Sequence, residues 1–445
     1  MIFVRHASGL MLCPFAQPAP SHTPQTSLLC PADPANGRIE AVRRVGKPGG
    51  ETEQAVSMTE MVYGSMPARV GEPVLPRWWR TIDKWSLTCI LMLFGIGLLL
   101  GLAASVPLAT RNGLEPFHYV QRQIAFGGLG ILAMLGISMM SPHLVRRLGV
   151  LGFVLAFAAL ALLPMFGTDF GKGAVRWFSM GFASVQPSEF LKPFFVILSA
   201  WLISASQDLN GPPGKAISFA LAMVIVGFLA LQPDFGQAAL VLFGWGVIYF
   251  VAGAPIVLIA MILGLVGVGS MFAYSASEHF ARRIDGFLTP DIDPRTQLGY
   301  AANAIQEGGF FGVGVGEGQV KWSLPDAHTD FIIAVAAEEY GLILVLVIIA
   351  LYATVTVRSL FRLMKERDPF IRLAGTGLAC IFGVQAMINM GVAVRLMPAK
   401  GMTLPFVSYG GSSVIAAGIT VGMLLAFTRT RPQGQIGDIL FKRGR

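Results

Sequence analysis

Two aspartates and a histidine fall within five residues in Leu324-Pro325-Asp326-Ala327-His328-Thr329-Asp330-Phe331, and a long apolar stretch begins where this string ends. A carboxylate at such a boundary has two readings. Asp330 could cap the helix that follows, accepting hydrogen bonds from free amides. It could instead serve as a general base acting on an anionic lipid substrate. Arg282, Arg283 and Lys321 would then supply positive charge beside it. Glu338 follows eight residues later. On a 3.6-residue helix that spacing leaves it within about 80° of Asp330, able to face the same cavity. Glu339 points elsewhere and is expected to pair with a neighbouring helix.

Other groups raise the same choice between structure and chemistry. Glu189 and Lys192 are spaced i, i+3 and can pair on one helix face. Asp234 sits in Gln232-Pro233-Asp234-Phe235-Gly236, where Pro and Gly favour a tight turn and Asp a turn or cap. The segment from Pro398 to Ser413 opens the last apolar run. Its Gly410-Gly411-Ser412-Ser413 end leaves helix amides able to bind an anion, and Lys400 adds charge nearby. Plain N-capping by Ser412 or Ser413 is the alternative. The glycine run Gly308 to Gly318 has no strand–helix unit around it and reads as a flexible or tightly turned loop, not a nucleotide cradle. Asp291-Ile292-Asp293 has the shape of a metal-binding Asp-x-Asp motif but reads first as loop. The six histidines show no HExxH, and the four cysteines no CxxC, so a zinc hydrolase is unsupported.

These groups must be positioned by apolar elements. Hydrophobic residues make up 54% of the 445 and charged residues 13%, with mean hydropathy +0.64. Soluble chains carry about 25% charged residues. Runs such as Trp85–Pro107 and Gly149–Phe166 approach or exceed the roughly 20 residues that cross a bilayer. A soluble enzyme, a disulfide scaffold and a disordered chain are excluded. The expected fold is an all-α polytopic membrane protein with ten transmembrane helices: 85–106, 120–140, 149–166, 187–205, 216–232, 236–252, 256–275, 331–357, 371–393 and 412–428.

An even count puts both termini on one side. Arg77, Arg80, Lys84, Arg146, Arg147, Lys215, Arg358, Arg362, Lys365, Arg367 and Arg372 belong to the segments at or beside span ends on that side, which favours cytoplasmic termini. The net charge of +8 fits that bias better than nucleic-acid binding. Loops near 167–186, 276–330 and 394–411 then lie outside. Residues 1–75 are rich in Pro, Ser, Thr, Gly and Ala and read as a disordered cytoplasmic tail. Translation could also begin at Met58 or Met61. A membrane domain at 76–429 and a basic cytoplasmic tail at 430–445 complete the division.

Several strings together resemble the SEDS family (shape, elongation, division and sporulation). They are Gly173-Ala174-Val175-Arg176-Trp177 through Gln186-Pro187-Ser188-Glu189-Phe190-Leu191-Lys192, then Gln232-Pro233-Asp234-Phe235-Gly236, Ala327-His328-Thr329-Asp330-Phe331 with Glu338-Glu339, and Ser408-Tyr409-Gly410-Gly411-Ser412-Ser413. The resemblance covers roughly residues 80–430. Lys400-Gly401 before Thr403-Leu404-Pro405 is similar to the family's cell-division branch more than its elongation branch. Arg395, Met397 and Glu317 depart from the pattern locally.

The resemblance implies a SEDS-type (GT-C-like) fold and a peptidoglycan glycosyltransferase in the bacterial cytoplasmic membrane at the division septum. Its substrate would be lipid II, a disaccharide-pentapeptide on undecaprenyl diphosphate. Asp330 would be the catalytic carboxylate. Arg282, Arg283, Lys321, Lys400, Lys192, Arg176 and Ser412 would bind substrate and diphosphate, with Glu189, Glu338, His328 and Gln186 as supporting polar groups. No cofactor is certain; a divalent cation, Mg2+ or Mn2+, is possible. A class B penicillin-binding transpeptidase and other divisome membrane proteins would be partners. A lipid II flippase explains the helices without chemistry but needs access to both faces; a recruiting scaffold is the third reading.

Overall fold

The computed structural model describes residues 73–168, 175–179, 181, 184–208, 210–276, 278–288, 296–324, 326–398 and 401–430. The expected N-terminal tail lies almost wholly outside the described residues, as do Asp291, Asp293, Lys400 and the 431–445 tail.

Each of the ten expected spans coincides with a helix. After a short α1 (Val74–Thr81) come α2 (Lys84–Arg111), α3 (His118–Ser138), α4 (Pro142–Phe166), α5 (Pro187–Ala205), α6 (Gly214–Leu231) and α7 (Phe235–Val251). Then follow α8 (Ile256–Ala276), α9 (Glu278–Leu288), α10 (Gln297–Gly308), α11 (Val320–Ser323), α12 (Ile332–Leu363), α13 (Pro369–Ala393) and α14 (Gly411–Thr428). Among the described residues eight of these are long and apolar enough to cross a membrane, and α7 is a shorter apolar helix. The starts follow local chemistry. Ser141 caps α4 by accepting from Leu144 N, and Asp368 caps α13 by accepting from Phe370 N and Ile371 N. Pro142, Pro187 and Pro369 open their helices, where a missing N–H costs nothing.

The interior holds two apolar clusters. One joins α2, α12, residues 402–407 and α14; the other joins α4, α5, α6, α7 and α13. The outer faces of α3 and α4 remain apolar, with Leu132 67% and Leu155 63% exposed. Apolar residues facing outward at this density suit lipid rather than water. Where α3 meets α14, small residues let the backbones touch: a Cβ on Gly418 would lie 2.2 Å from Gly130 O.

Two features depart from the sequence reading. The loop at 167–186 contains a small hairpin, β1 (Phe178–Ser179) antiparallel to β2 (Ser184–Val185), with Phe178 opposite Val185. The long loop at 276–330 is largely helical, carrying α9, α10 and α11. Thr296 caps α10 by accepting from Gly299 N at 3.2 Å.

The eighth span is broken rather than continuous. Gly341 takes φ +76°, ψ −176° inside α12, a region essentially reserved for glycine. The glycine run docks there. Leu342 N donates to Gly309 O at 3.0 Å, and Val313 N to Glu338 O at 2.9 Å. A Cβ on Gly341 would stand 2.3 Å from Phe310 O. Gly341→Ala should therefore lower stability by at least about 1–3 kcal/mol from backbone strain alone. An unchanged unfolding midpoint in detergent would contradict this role for the break.

The ends of the described chain meet at one end of the bundle. Thr430 N donates to Thr81 O at 3.0 Å, and Arg429 Nε to Thr81 Oγ1 at 3.0 Å. There Asp83, 1% exposed, receives Arg358 Nε at 2.8 Å and Arg362 Nη2 at 3.1 Å.

Candidate active site

Asp330 closes a turn that begins at Asp326, whose carbonyl accepts Asp330 N at 3.2 Å. The N-cap of α12 is Phe331, with no side-chain cap. Asp330 is thus not the helix cap, and that reading of the sequence falls away. Its side chain is half-buried. Its Oδ2 would lie 3.5 Å from a Cβ placed on Gly401, so the carboxylate faces the loop that carries Lys400 and Gly401.

Three groups hold this turn against that loop. Asn389 on α13 donates through Nδ2 to Asp330 O at 3.1 Å and to Met402 O at 2.6 Å. Ser408 Oγ donates to Thr329 O and accepts from Leu404 N at 3.0 Å. Tyr409 N donates to His328 O at 2.9 Å. His328, buried, belongs to an aromatic cluster with Tyr119 and Tyr409, their ring centroids 5.3–5.6 Å apart. Burial pushes the Tyr409 phenol up, against the opposing charge of Arg122. That phenol stays protonated and available as a donor at neutral pH.

A second polar layer lies behind, inside the bundle. Lys192 Nζ donates to Glu189 Oε2 at 2.8 Å and to Gln385 Oε1 at 2.9 Å. Gln237 Nε2 donates to the other oxygen of Glu189, and Gln385 Nε2 to Thr403 O at 3.2 Å. A buried charge demands such partners. Gln385 therefore connects the ion pair to the same loop that Asn389 holds one residue earlier at Met402. Glu189, Lys192, Gln385, Ser413 and Thr420 border a cavity of about 20 Å³, room for a single water.

The remaining sequence candidates take mainly structural positions. Gln186 N donates to Ser412 Oγ at 3.2 Å, joining the starts of α5 and α14. Ser412 is 4% exposed and does not cap α14, nor does Ser413. Gln186 Nε2 also donates to Asp234 Oδ2 at 3.2 Å. Burial raises the Asp234 carboxyl, opposed by the Arg176 charge and reinforced by Glu189. Arg176 clamps the 232–234 turn, donating to Gln232 O at 3.1 Å and Pro233 O at 2.6 Å.

Two expected roles change. Lys321 was placed among the cations open to substrate, yet it is 6% exposed and paired with Glu339. Its Nζ also donates to Gly316 O at 3.1 Å. Glu338 was expected to share the Asp330 cavity, yet it is fully buried and accepts from Val320 N at 2.7 Å. Both glutamates reach α11 because the glycine run folds that short helix beneath the start of α12.

The side chains of Arg282 and Arg283, on α9, lie outside the described residues, as does Lys400. Arg395 donates to Phe287 O at 3.3 Å, linking α9 to the loop that leads to Lys400. Among the described residues no group of three or more His, Cys, Asp or Glu side chains could hold a metal ion.

Gln237, Gln385 and Asn389 were not singled out from the sequence. Their signal was available: Gln385 and Asn389 are spaced i, i+4 within an apolar span, where unpaired amides are costly. Asn389→Ala strips a donor from two carbonyls at the site. Turnover should fall about tenfold, as for losing roughly 1–2 kcal/mol of hydrogen bonding, with little change in KM. A fall in KM-limited binding with normal turnover would contradict the positioning role.

The family model of the FtsW/RodA/SpoVE cell cycle proteins matches residues 84–433. The chain belongs to this family. A probable peptidoglycan glycosyltransferase FtsW of Caulobacter vibrioides is 42% identical over 382 residues, covering 84% of this chain and 97% of that protein. Another, of Trichlorobacter lovleyi, is 35% identical over 355 residues, covering 77% and 92%. Solved structures of FtsW/RodA/SpoVE-like chains agree in fold. One, from work on structural coordination of polymerization and crosslinking by a peptidoglycan synthase complex, has TM-score 0.64 and 28% identity, over 79% of this chain and 99% of that one. The rod shape determining protein RodA of Thermus thermophilus has TM-score 0.59 and 27% identity, over 80% and 99%. The match extends across the Asp330 turn, the Glu189–Lys192 pair and the 401–413 loop, the segments that build the site.

Proposed function

We propose that this FtsW-like chain is a peptidoglycan glycosyltransferase that polymerises lipid II during septal cell-wall synthesis. The observation that carries the reading is Asp330: a half-buried carboxylate that leaves its helix uncapped and faces the Lys400–Gly401 loop while Asn389 fixes its backbone.

The chemistry follows from that placement. The acceptor sugar's 4-hydroxyl gives its proton to the Asp330 carboxylate as its oxygen attacks the donor's anomeric carbon. The bond from that carbon to the diphosphate breaks, and undecaprenyl diphosphate leaves. One displacement inverts the α-linked donor to a β-linked product. Negative charge concentrates on the leaving diphosphate, and fixed cations stabilise it. Lys321 and Lys192 are engaged with buried glutamates, so Arg282, Arg283 and Lys400 carry this role. Lys192 acts instead through Gln385 on the loop backbone.

A class B penicillin-binding transpeptidase is the fitting partner, because the nascent strands need crosslinking and a structurally similar chain comes from a peptidoglycan synthase complex. The septum, reached through other divisome membrane proteins, is the corresponding location. A flippase would need no carboxylate held in this way. The test is incubation of labelled lipid II with the purified protein and its transpeptidase partner. Glycan strands and released undecaprenyl diphosphate are expected; intact lipid II throughout would contradict the proposal.

A further inference from the structure

One cavity bordered by charged side chains lies far from Asp330. It is an open groove of about 460 Å³ along the last turns of α12, lined by Thr354, Val357, Arg358, Phe361, Arg362 and Lys365. Asp330 precedes the first residue of α12, and Arg358 follows the Gly341 break by seventeen residues. At about 1.5 Å per residue that stretch alone covers about 25 Å, close to the hydrocarbon thickness. The groove therefore opens at the opposite membrane face, beside the joined ends of the described chain.

Its charges do not cancel. Arg358 and Arg362 share one carboxylate, Asp83, and Lys365 has no ion pair among the described residues. Three cations against one anion leave a net charge of about +2 in the groove. Arg358 binds Asp83 through Nε alone among the described residues, and its side chain keeps 38% exposure. Its terminal nitrogens are thus left to face the groove. Arg362 is 30% exposed at its side chain.

The flank of the groove is apolar and uncovered. Val357 is 48%, Phe361 62% and Met364 74% exposed. Val357, Phe361 and Met364 recur at i, i+4 and i+7, while Arg358, Arg362 and Lys365 follow one step round with the same spacing. One stripe of the helix therefore presents hydrocarbon and the next presents positive charge. A water-soluble anion would use only the second stripe. A lipid with a phosphate headgroup and acyl chains would use both.

We infer that this groove binds an anionic glycerophospholipid of the bilayer. Its phosphate sits between the terminal nitrogens of Arg358 and the Lys365 ammonium, and an acyl chain runs along Val357 and Phe361. Basic pockets at the ends of membrane helices take such headgroups. The occupant also shields the excess charge around the buried Asp83 pair, which keeps α2 and α12 in register.

The experiment uses the full chain purified in detergent. Phosphatidylglycerol or phosphatidylcholine is added in mixed micelles, and retained lipid is counted by native mass spectrometry. Phosphatidylglycerol should be retained in preference. Lys365→Gln, which leaves both Asp83 pairs intact, should weaken that retention about fivefold, the effect of roughly one surface cation. Phe361→Ala should weaken both lipids together. Arg147→Gln, an exposed basic residue outside the groove, should change nothing. Equal retention of the two lipids would overturn the inference, as would an equal loss in Arg147→Gln. Displacement of phosphatidylglycerol by soluble glycerol phosphate would make this a free-anion site and reject the lipid.

Discussion

Asp330→Asn should cut polymerisation by about 10²–10⁴-fold, the range for losing a general base. The substitution keeps the shape of the side chain and leaves the Asp330 carbonyl free to accept from Asn389. Because Phe331 rather than Asp330 occupies the α12 N-cap, no capping interaction is lost. Unfolding in detergent should therefore match wild type. Proton removal occurs only in the transition state, so kcat and kcat/KM should fall together. Asp330→Glu should fall between the two, since it retains a base displaced by one methylene. Activity of the Asn variant within twofold of wild type would remove Asp330 from the chemistry.

Lys321→Met should unfold the protein more readily while barely touching the chemistry of the molecules that remain folded. Removing the cation leaves the Glu339 carboxylate, 1% exposed, without its counter-charge. Breaking a buried pair from one side costs about 3–5 kcal/mol. It also loosens α11 against α12 and the glycine run, since Lys321 binds Glu339 and Gly316 O, and leaves the Val320 N–Glu338 bond to hold the two helices. The double variant Lys321→Met/Glu339→Gln should recover most of the loss, because it removes both charges together. A ligand for diphosphate would behave differently: Lys321→Met would then keep its stability and raise KM. That result would restore Lys321 to the substrate-binding cations.

The apolar helices were legible because their signal is long and continuous. Ten runs gave helices in ten expected places, and the i, i+3 spacing of Glu189 and Lys192 gave their pair. The glycine run read as a loop, flexible or tightly turned, and its partner did not show. Only the packing reveals that it docks on Gly341 and breaks α12. The same docking redirected Glu338 and Glu339. Helical geometry alone placed Glu338 towards Asp330, whereas an uncapped amide at Val320 claimed it. Helix α1 went unread because it is short and amphipathic. Its Trp78 donates to Ser138 Oγ at 2.9 Å, and Trp79 lies beneath Lys84 Nζ at 5.3 Å, an arrangement suited to a membrane interface.

Asp330 itself stood out by its place at an apolar boundary, but the groups that hold it did not. Asn389 and Gln385 are neutral amides in an otherwise ordinary span. They become conspicuous only when their donors are followed to Asp330 O, Met402 O and Thr403 O. Those three bonds draw one turn and one loop from distant parts of the chain onto a single helix.

The most direct measurement places wild type and Asp330→Asn side by side in vesicles with the transpeptidase partner and labelled lipid II, reading glycan strands and lipid II translocation together. Wild type is predicted to make strands and the variant none, with equal translocation, whatever its level, in both. Strands from the variant at the wild-type rate, or translocation without strands in wild type, would contradict a polymerase built on Asp330.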